Sequence, residues 1–152
     1  MRLERDRNAD GKPDVWGVYT YPAQDQSQLV VTVDKNGDGR LDYWRLERNH
    51  FPVREWGDLN DDGRVDYWVA YAPDSRAKQW AAMDKNHDGR PDAWFHYGAD
   101  GTRPDAGERD DDFDGTPETT FGTLPAERPT LDDPPVVELG PGPKSALQGP
   151  GP

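Results

Sequence analysis

One acidic nine-residue string recurs five times between residues 6 and 118, and no other feature restricts the possible folds so tightly. It reads Asp6-Arg7-Asn8-Ala9-Asp10-Gly11-Lys12-Pro13-Asp14 and Asp34-Lys35-Asn36-Gly37-Asp38-Gly39-Arg40-Leu41-Asp42 in the first two copies. Asp58-Leu59-Asn60-Asp61-Asp62-Gly63-Arg64-Val65-Asp66 and Asp84-Lys85-Asn86-His87-Asp88-Gly89-Arg90-Pro91-Asp92 follow. The fifth is Asp110-Asp111-Asp112-Phe113-Asp114-Gly115-Thr116-Pro117-Glu118, and the leading Asp recurs at spacings of 28, 24, 26 and 26 residues. A period of this size marks a repeat architecture, in which each unit buries its apolar face only against its neighbours.

Alternate side chains of a tightly curled loop converge on one point, and Gly at the sixth position permits the turn that brings them together. Two carboxylates about 4 Å apart repel by roughly 4 kcal/mol at an effective dielectric of 20, and each loop gathers three or four. A hard divalent cation removes that cost, and a flexible site of several oxygens suits Ca²⁺ better than Mg²⁺. The expected ligands are the side chains at the first, third, fifth and ninth positions and the backbone carbonyl of the seventh (Lys12, Arg40, Arg64, Arg90 and Thr116). About five structural Ca²⁺ sites are expected, the fifth being the first to be doubted.

The loops resemble those of thrombospondin type 3 repeats and of FG-GAP/VCBS-type repeats, and their first nine positions resemble the EF-hand. The resemblance covers residues 6 to about 121 and implies calcium binding in a repeated extracellular array. It departs from the EF-hand at the twelfth position, where a bidentate Glu is replaced by Gly17, Arg45, Val69, Phe95 and Phe121. The repeats are also shorter than those of propeller families.

A short aromatic segment follows each of the first four loops, at residues 15–21, 43–47, 67–71 and 93–97. Their β-formers and partial alternation read as strands, with Trp16, Trp44, Trp68 and Trp94 on one face beside Val18, Leu46 and Ala70. Returning strands are read at residues 29–33, 53–56 and 79–83, whereas the fourth unit has no comparable apolar return. Met1 to Arg5 takes the place of a returning strand without its partner. The predicted fold is all-β, a meander of repeated β-hairpins over residues 1–121 with calcium loops along one edge. Residues 122–152, rich in Pro and Gly, read as a disordered or extended tail. Within it Val136 to Leu139 is a short apolar cluster, read first as incidental to a flexible tail and second as a strand that could add to a sheet edge.

The 152 residues carry 30 acids against 18 Lys and Arg, a net charge of −12. Leu, Val and Phe with no Ile make up only about 15% of the chain, a composition that by itself implies disorder. The loops change that reading, because 16 of the 30 acids are expected ligands in them and five Ca²⁺ would bring −12 to about −2. The negative charge disfavours nucleic acid as a partner. No apolar run approaches the roughly 18 residues of a membrane span, and residues 1–5 show no signal peptide. The absence of Cys excludes thiol chemistry, and no nucleophile elbow or phosphate loop is present, so no enzyme is expected. The expected role is a structural calcium-binding protein, extracellular or on a cell surface, acting as a spacer, adhesin segment or self-assembling subunit. Its partner would be a protein or a second copy at the sheet edges. The alternative is a glycan-binding module using exposed Trp and Tyr, and an intracellular calcium sensor ranks third.

Overall fold

The computed structural model describes residues 1–136 and holds ten strands and, among those residues, no helix long and apolar enough to cross a membrane. The strands are β1 (Arg2–Arg5), β2 (Val15–Ala23), β3 (Gln26–Val33), β4 (Tyr43–Arg48) and β5 (Phe51–Gly57). They continue as β6 (Tyr67–Tyr71), β7 (Lys78–Met83), β8 (Ala93–Tyr97), β9 (Pro104–Arg109) and β10 (Thr119–Phe121). All ten form one antiparallel sheet in chain order, so the predicted all-β meander is the observed architecture. The five acidic loops close the β1/β2, β3/β4, β5/β6, β7/β8 and β9/β10 hairpins at one end of the sheet. At the other end two-residue turns join β2 to β3 and β4 to β5, and six-residue connections join β6 to β7 and β8 to β9. At Asn49-His50 both residues have positive φ, 49° and 69°, the conformation that a two-residue hairpin turn demands.

Register places every tryptophan on the same face. Trp16 pairs with Thr32, Thr32 with Trp44, Trp44 with Trp56 and Trp56 with Trp68; Trp80 and Trp94 continue the row through Ala70 and Ala82. Trp16, Trp44 and Trp56 are at most 2% exposed and form the core with Val30, Leu46, Leu41 and Val65. Leu41 and Val65 occupy the eighth loop position, so these two loops fold that apolar residue back over the tryptophan face. Fully burying residues of this size contributes about 1.5–3 kcal/mol each, which is how a chain poor in Leu and Ile assembles a core.

Two expectations are altered. The fourth unit does have a return: β9 pairs with β8 although it reads PDAGER, because Ala106 and Gly107 are small enough to be buried there. Residues 2–5 form a strand as read: β1 pairs with β2 across the first loop, from Arg2↔Val18 to Arg5↔Val15, and among the described residues no strand lies on its other side. The tail, at least to residue 136, does not stand off as a linker. It has no strand or helix, yet it lies along the tryptophan face. The Trp56 Nε1–H donates to the Asp132 carbonyl at 2.7 Å, and Arg128 sits 5.1 Å over the Trp94 ring while pairing with Glu108. Pro129 to Asp132 close over Trp56, Trp68, Trp80 and Trp94. The chain bends out of β10 at Gly122 (φ +61°), where a Cβ would collide with the Asp105 carbonyl. Of the apolar cluster proposed for edge addition, Val136 is exposed and in no strand, and 137–139 lie outside the described residues.

Candidate metal centre

The five loops share one backbone. Residues at the fourth and sixth positions have φ of 60° and 88° (Ala9, Gly11), 75° and 88° (Gly37, Gly39), and 60° and 89° (Asp61, Gly63). In the fourth and fifth loops the values are 61° and 91° (His87, Gly89) and 63° and 93° (Phe113, Gly115). Gly removes the steric cost at the sixth position, but four of the five fourth-position residues carry a side chain and accept a left-handed conformation. Such strain persists only where surrounding bonds over-determine it.

Those bonds repeat as well. One carboxylate oxygen of the first-position Asp accepts the sixth-position N–H: Asp6, Asp34, Asp58, Asp84 and Asp110 do so at 2.7–2.9 Å. Asp10, Asp38, Asp62, Asp88 and Asp114 at the fifth position each accept the seventh-position N–H, of Lys12, Arg40, Arg64, Arg90 and Thr116, at 2.8 Å. The ninth-position carboxylates of Asp14, Asp42, Asp66, Asp92 and Glu118 cross the loop to the second-position N–H. Adjacent loops are tied together, because the N–H groups of Asp34, Asp58, Asp84 and Asp110 donate to the carbonyls of Asp14, Asp42, Asp66 and Asp92. The carboxylates are thus oriented by backbone amides before any ligand is considered.

Asn8, Asn36, Asn60 and Asn86 occupy the third position and turn Nδ2 toward the fifth-position carboxylate at 3.1–3.4 Å. That amide donor partly neutralises the ring of acids. The fifth loop has Asp112 in its place, and there the carboxylates of Asp110, Asp112, Asp114 and Glu118 come within 4.8 Å of one another. Four oxygens from four acids at this separation form a hard, anionic donor set able to hold a metal ion. The loop that the sequence made most doubtful is therefore the one whose carboxylates converge. The third-position acid, which replaces a donor with an acceptor, was the readable signal.

Burial weighs on the same groups. Asp42 and Asp66 are pushed above the ordinary carboxylate value of 3.8 chiefly by desolvation, with Asp61 and Asp58 respectively adding repulsion. At Asp112 the Asp114 amide lowers the value, but desolvation and the carboxylates of Asp114 and Glu118 raise it overall. Asp66 Oδ2 is buried without a hydrogen bond, its nearest cationic candidate being His87 Nδ1 at 3.4 Å. An orphaned carboxylate oxygen in a loop of oxygen donors fits a cation, and it gives His87, a residue of no ligand position, a place beside the preceding loop.

Compared with protein-family models, with characterised proteins and with solved structures, the chain matches none. His50 and His96 take no part in the loops; His96 stacks edge-on against Trp80 and bonds Asp105 at 2.7 Å.

Proposed function

We propose that the protein is a calcium-stabilised structural array, in which ions in the five loops brace one end of the sheet so that it serves as a rigid spacer or scaffold outside the cell. The observation that bears most on this reading is the repetition: five loops with the same two left-handed positions, the same carboxylate-to-amide bonds and a continuous loop-to-loop backbone ladder. A role for a single loop would not require the other four to keep that geometry. Extracellular calcium, in the millimolar range, fills sites of the weak affinity typical of such modules. A ligand at 10 to 100 times its Kd adds about 1.4–2.7 kcal/mol per site, comparable in sum to the stability of a small domain.

The glycan-binding alternative loses its tryptophans to burial and keeps Tyr21, 68% exposed, as its strongly exposed tyrosine among the described residues. Trp16, Trp44, Trp56 and Trp80 are buried and Trp68 and Trp94 half-buried beneath the tail, so no indole among the described residues is exposed as a stacking platform. Native mass spectrometry and near-UV circular dichroism, with calcium and with excess chelator, test the proposal. Several bound Ca²⁺ ions and a tryptophan signal that collapses on chelation are expected; no bound ion at millimolar calcium, with an unchanged spectrum, would sink it.

A further inference from the structure

The two ends of the sheet are complementary. Each interior strand that leaves a loop pairs with the strand that leads into the next: β2 with β3, β4 with β5, β6 with β7, β8 with β9. Among the described residues β10 leaves a loop and has no such neighbour, and β1 leads into a loop and has none on its outer side. Nine inter-strand spacings, roughly 43 Å, separate them within one molecule.

We propose that copies of this chain associate head to tail, with β10 of one molecule paired against β1 of the next, so that the sheet and its ladder of loops run on from copy to copy. This goes beyond the calcium reading and does not rest on it.

The register follows from the interior. In every unit the residue after the ninth loop position pairs with the residue before the next loop: Val15↔Val33, Tyr43↔Gly57, Tyr67↔Met83 and Ala93↔Arg109. Continued outward, Thr119 meets Arg5 of the second copy and Phe121 meets its Leu3. The ladder bond then runs from Asp6 N–H of the second copy to the Glu118 carbonyl, the two groups that lack it among the described residues. Asp34, Asp58, Asp84 and Asp110 are each no more than 8% exposed, whereas Asp6 is only half-buried, as an unfinished first rung would be.

Side chains agree with this pairing. Leu3 and Phe121 are 48% and 42% exposed, large for apolar residues, and both lie on the face opposite the tryptophans, over Gly17 and Gly107. Paired, they would cover each other. Second-position residues of adjacent loops already touch, Lys85 with Asp111 at 3.8 Å, and the next rung would set Asp111 against Arg7 of the second copy. Arg2 and Arg5 oppose pairing of β1 with another β1, as charges on edge strands do, which gives the association a direction. A head-to-tail contact whose rotation does not close generates an open filament.

The 152-residue chain provides the test, and it has no cysteine of its own. The Asp34-to-Asp14 bond beside Val15↔Val33 makes that a non-hydrogen-bonded pair, so Leu3 and Phe121 fall at the same type of position, with Cβ atoms close enough for a disulfide. A mixture of Leu3→Cys and Phe121→Cys chains should form a mixed disulfide dimer about tenfold faster than Leu3→Cys with Thr120→Cys, whose residue points to the other face. Sedimentation velocity of the unaltered chain should show weight-average mass at least doubling between about 5 and about 200 µM, the range expected of a small interface. Thr120→Pro, which removes an outward-facing N–H, should abolish that rise. Equal cross-linking rates in the two mixtures, or an unaltered chain that stays monomeric across the range, would overturn the proposal.

Discussion

The indole of Trp56 and the carbonyl of Asp132 share a 2.7 Å hydrogen bond across 76 residues of chain, joining the middle of the sheet to a segment with no secondary structure. Trp56→Phe removes the donor and shrinks a buried ring. A loss of about 2–3 kcal/mol is expected, from the hydrogen bond and the space left behind, read by chemical denaturation in calcium. A loss below about 0.5 kcal/mol would mean that the tail does not hold this face.

The seat of that segment depends on one backbone conformation. Gly122 has φ +61°, and a Cβ there would collide with the Asp105 carbonyl and press on Ala106. Gly122→Ala should therefore unseat residues 123–136 while leaving the strands paired. Tryptophan emission should shift to the red and a hydrophobic dye should bind, with an unchanged far-UV spectrum. An unshifted emission spectrum would contradict this account.

Asp112→Asn gives the fifth loop the donor that the other four possess. Removing one of four converging carboxylates should weaken ion binding there by about tenfold, since ligand charge tunes affinity. The same change should stabilise the metal-stripped protein, because the repulsion of Asp112 with Asp110, Asp114 and Glu118 is removed. Calcium titration and melting in chelator measure the two effects, and their opposite signs separate a metal ligand from a residue that only holds the loop.

Acidity should act in opposite directions with and without calcium. Desolvation raises Asp42 and Asp66 above 3.8 in the folded state, so the folded protein binds their protons more tightly than the unfolded chain does. Their contribution to stability is full below 3.8 and is lost as pH rises through the raised folded values. The metal-stripped protein should accordingly gain Tm as pH falls from neutrality toward 4. With calcium bound the anionic form is the one favoured, and Tm should fall over the same interval. Parallel slopes in the two conditions would exclude these aspartates as the groups responsible.

Much of this architecture is written locally. The alternation around Trp16, Trp44, Trp68 and Trp94, the breakers between strands and the loop period predict an antiparallel meander with every loop at one end, because each depends on residues within a few positions of one another. Pairing in chain order needs no long connection, so little about the sheet is left to distant contacts. β9 is an exception: PDAGER has almost no strand pattern, and only the demand of β8 for a neighbour makes it one. The convergence of acids in the fifth loop is readable at Asp112, the one third position that carries an acid in place of Asn.

What only the tertiary structure decided is how the tryptophan face is covered. A single sheet exposes two faces, and no local property of Pro129, Leu131 or Asp132 directs them to Trp56, Trp68, Trp80 and Trp94 rather than to solvent. That choice belongs to a non-local gain, the burial of indole surface and the closing of one hydrogen bond, which exists only once the strands have placed the tryptophans in a row. The sequence by itself determined the repeat, the strands and the loop chemistry, because their causes lie within one hairpin; the cover over the core was decided where distant segments meet.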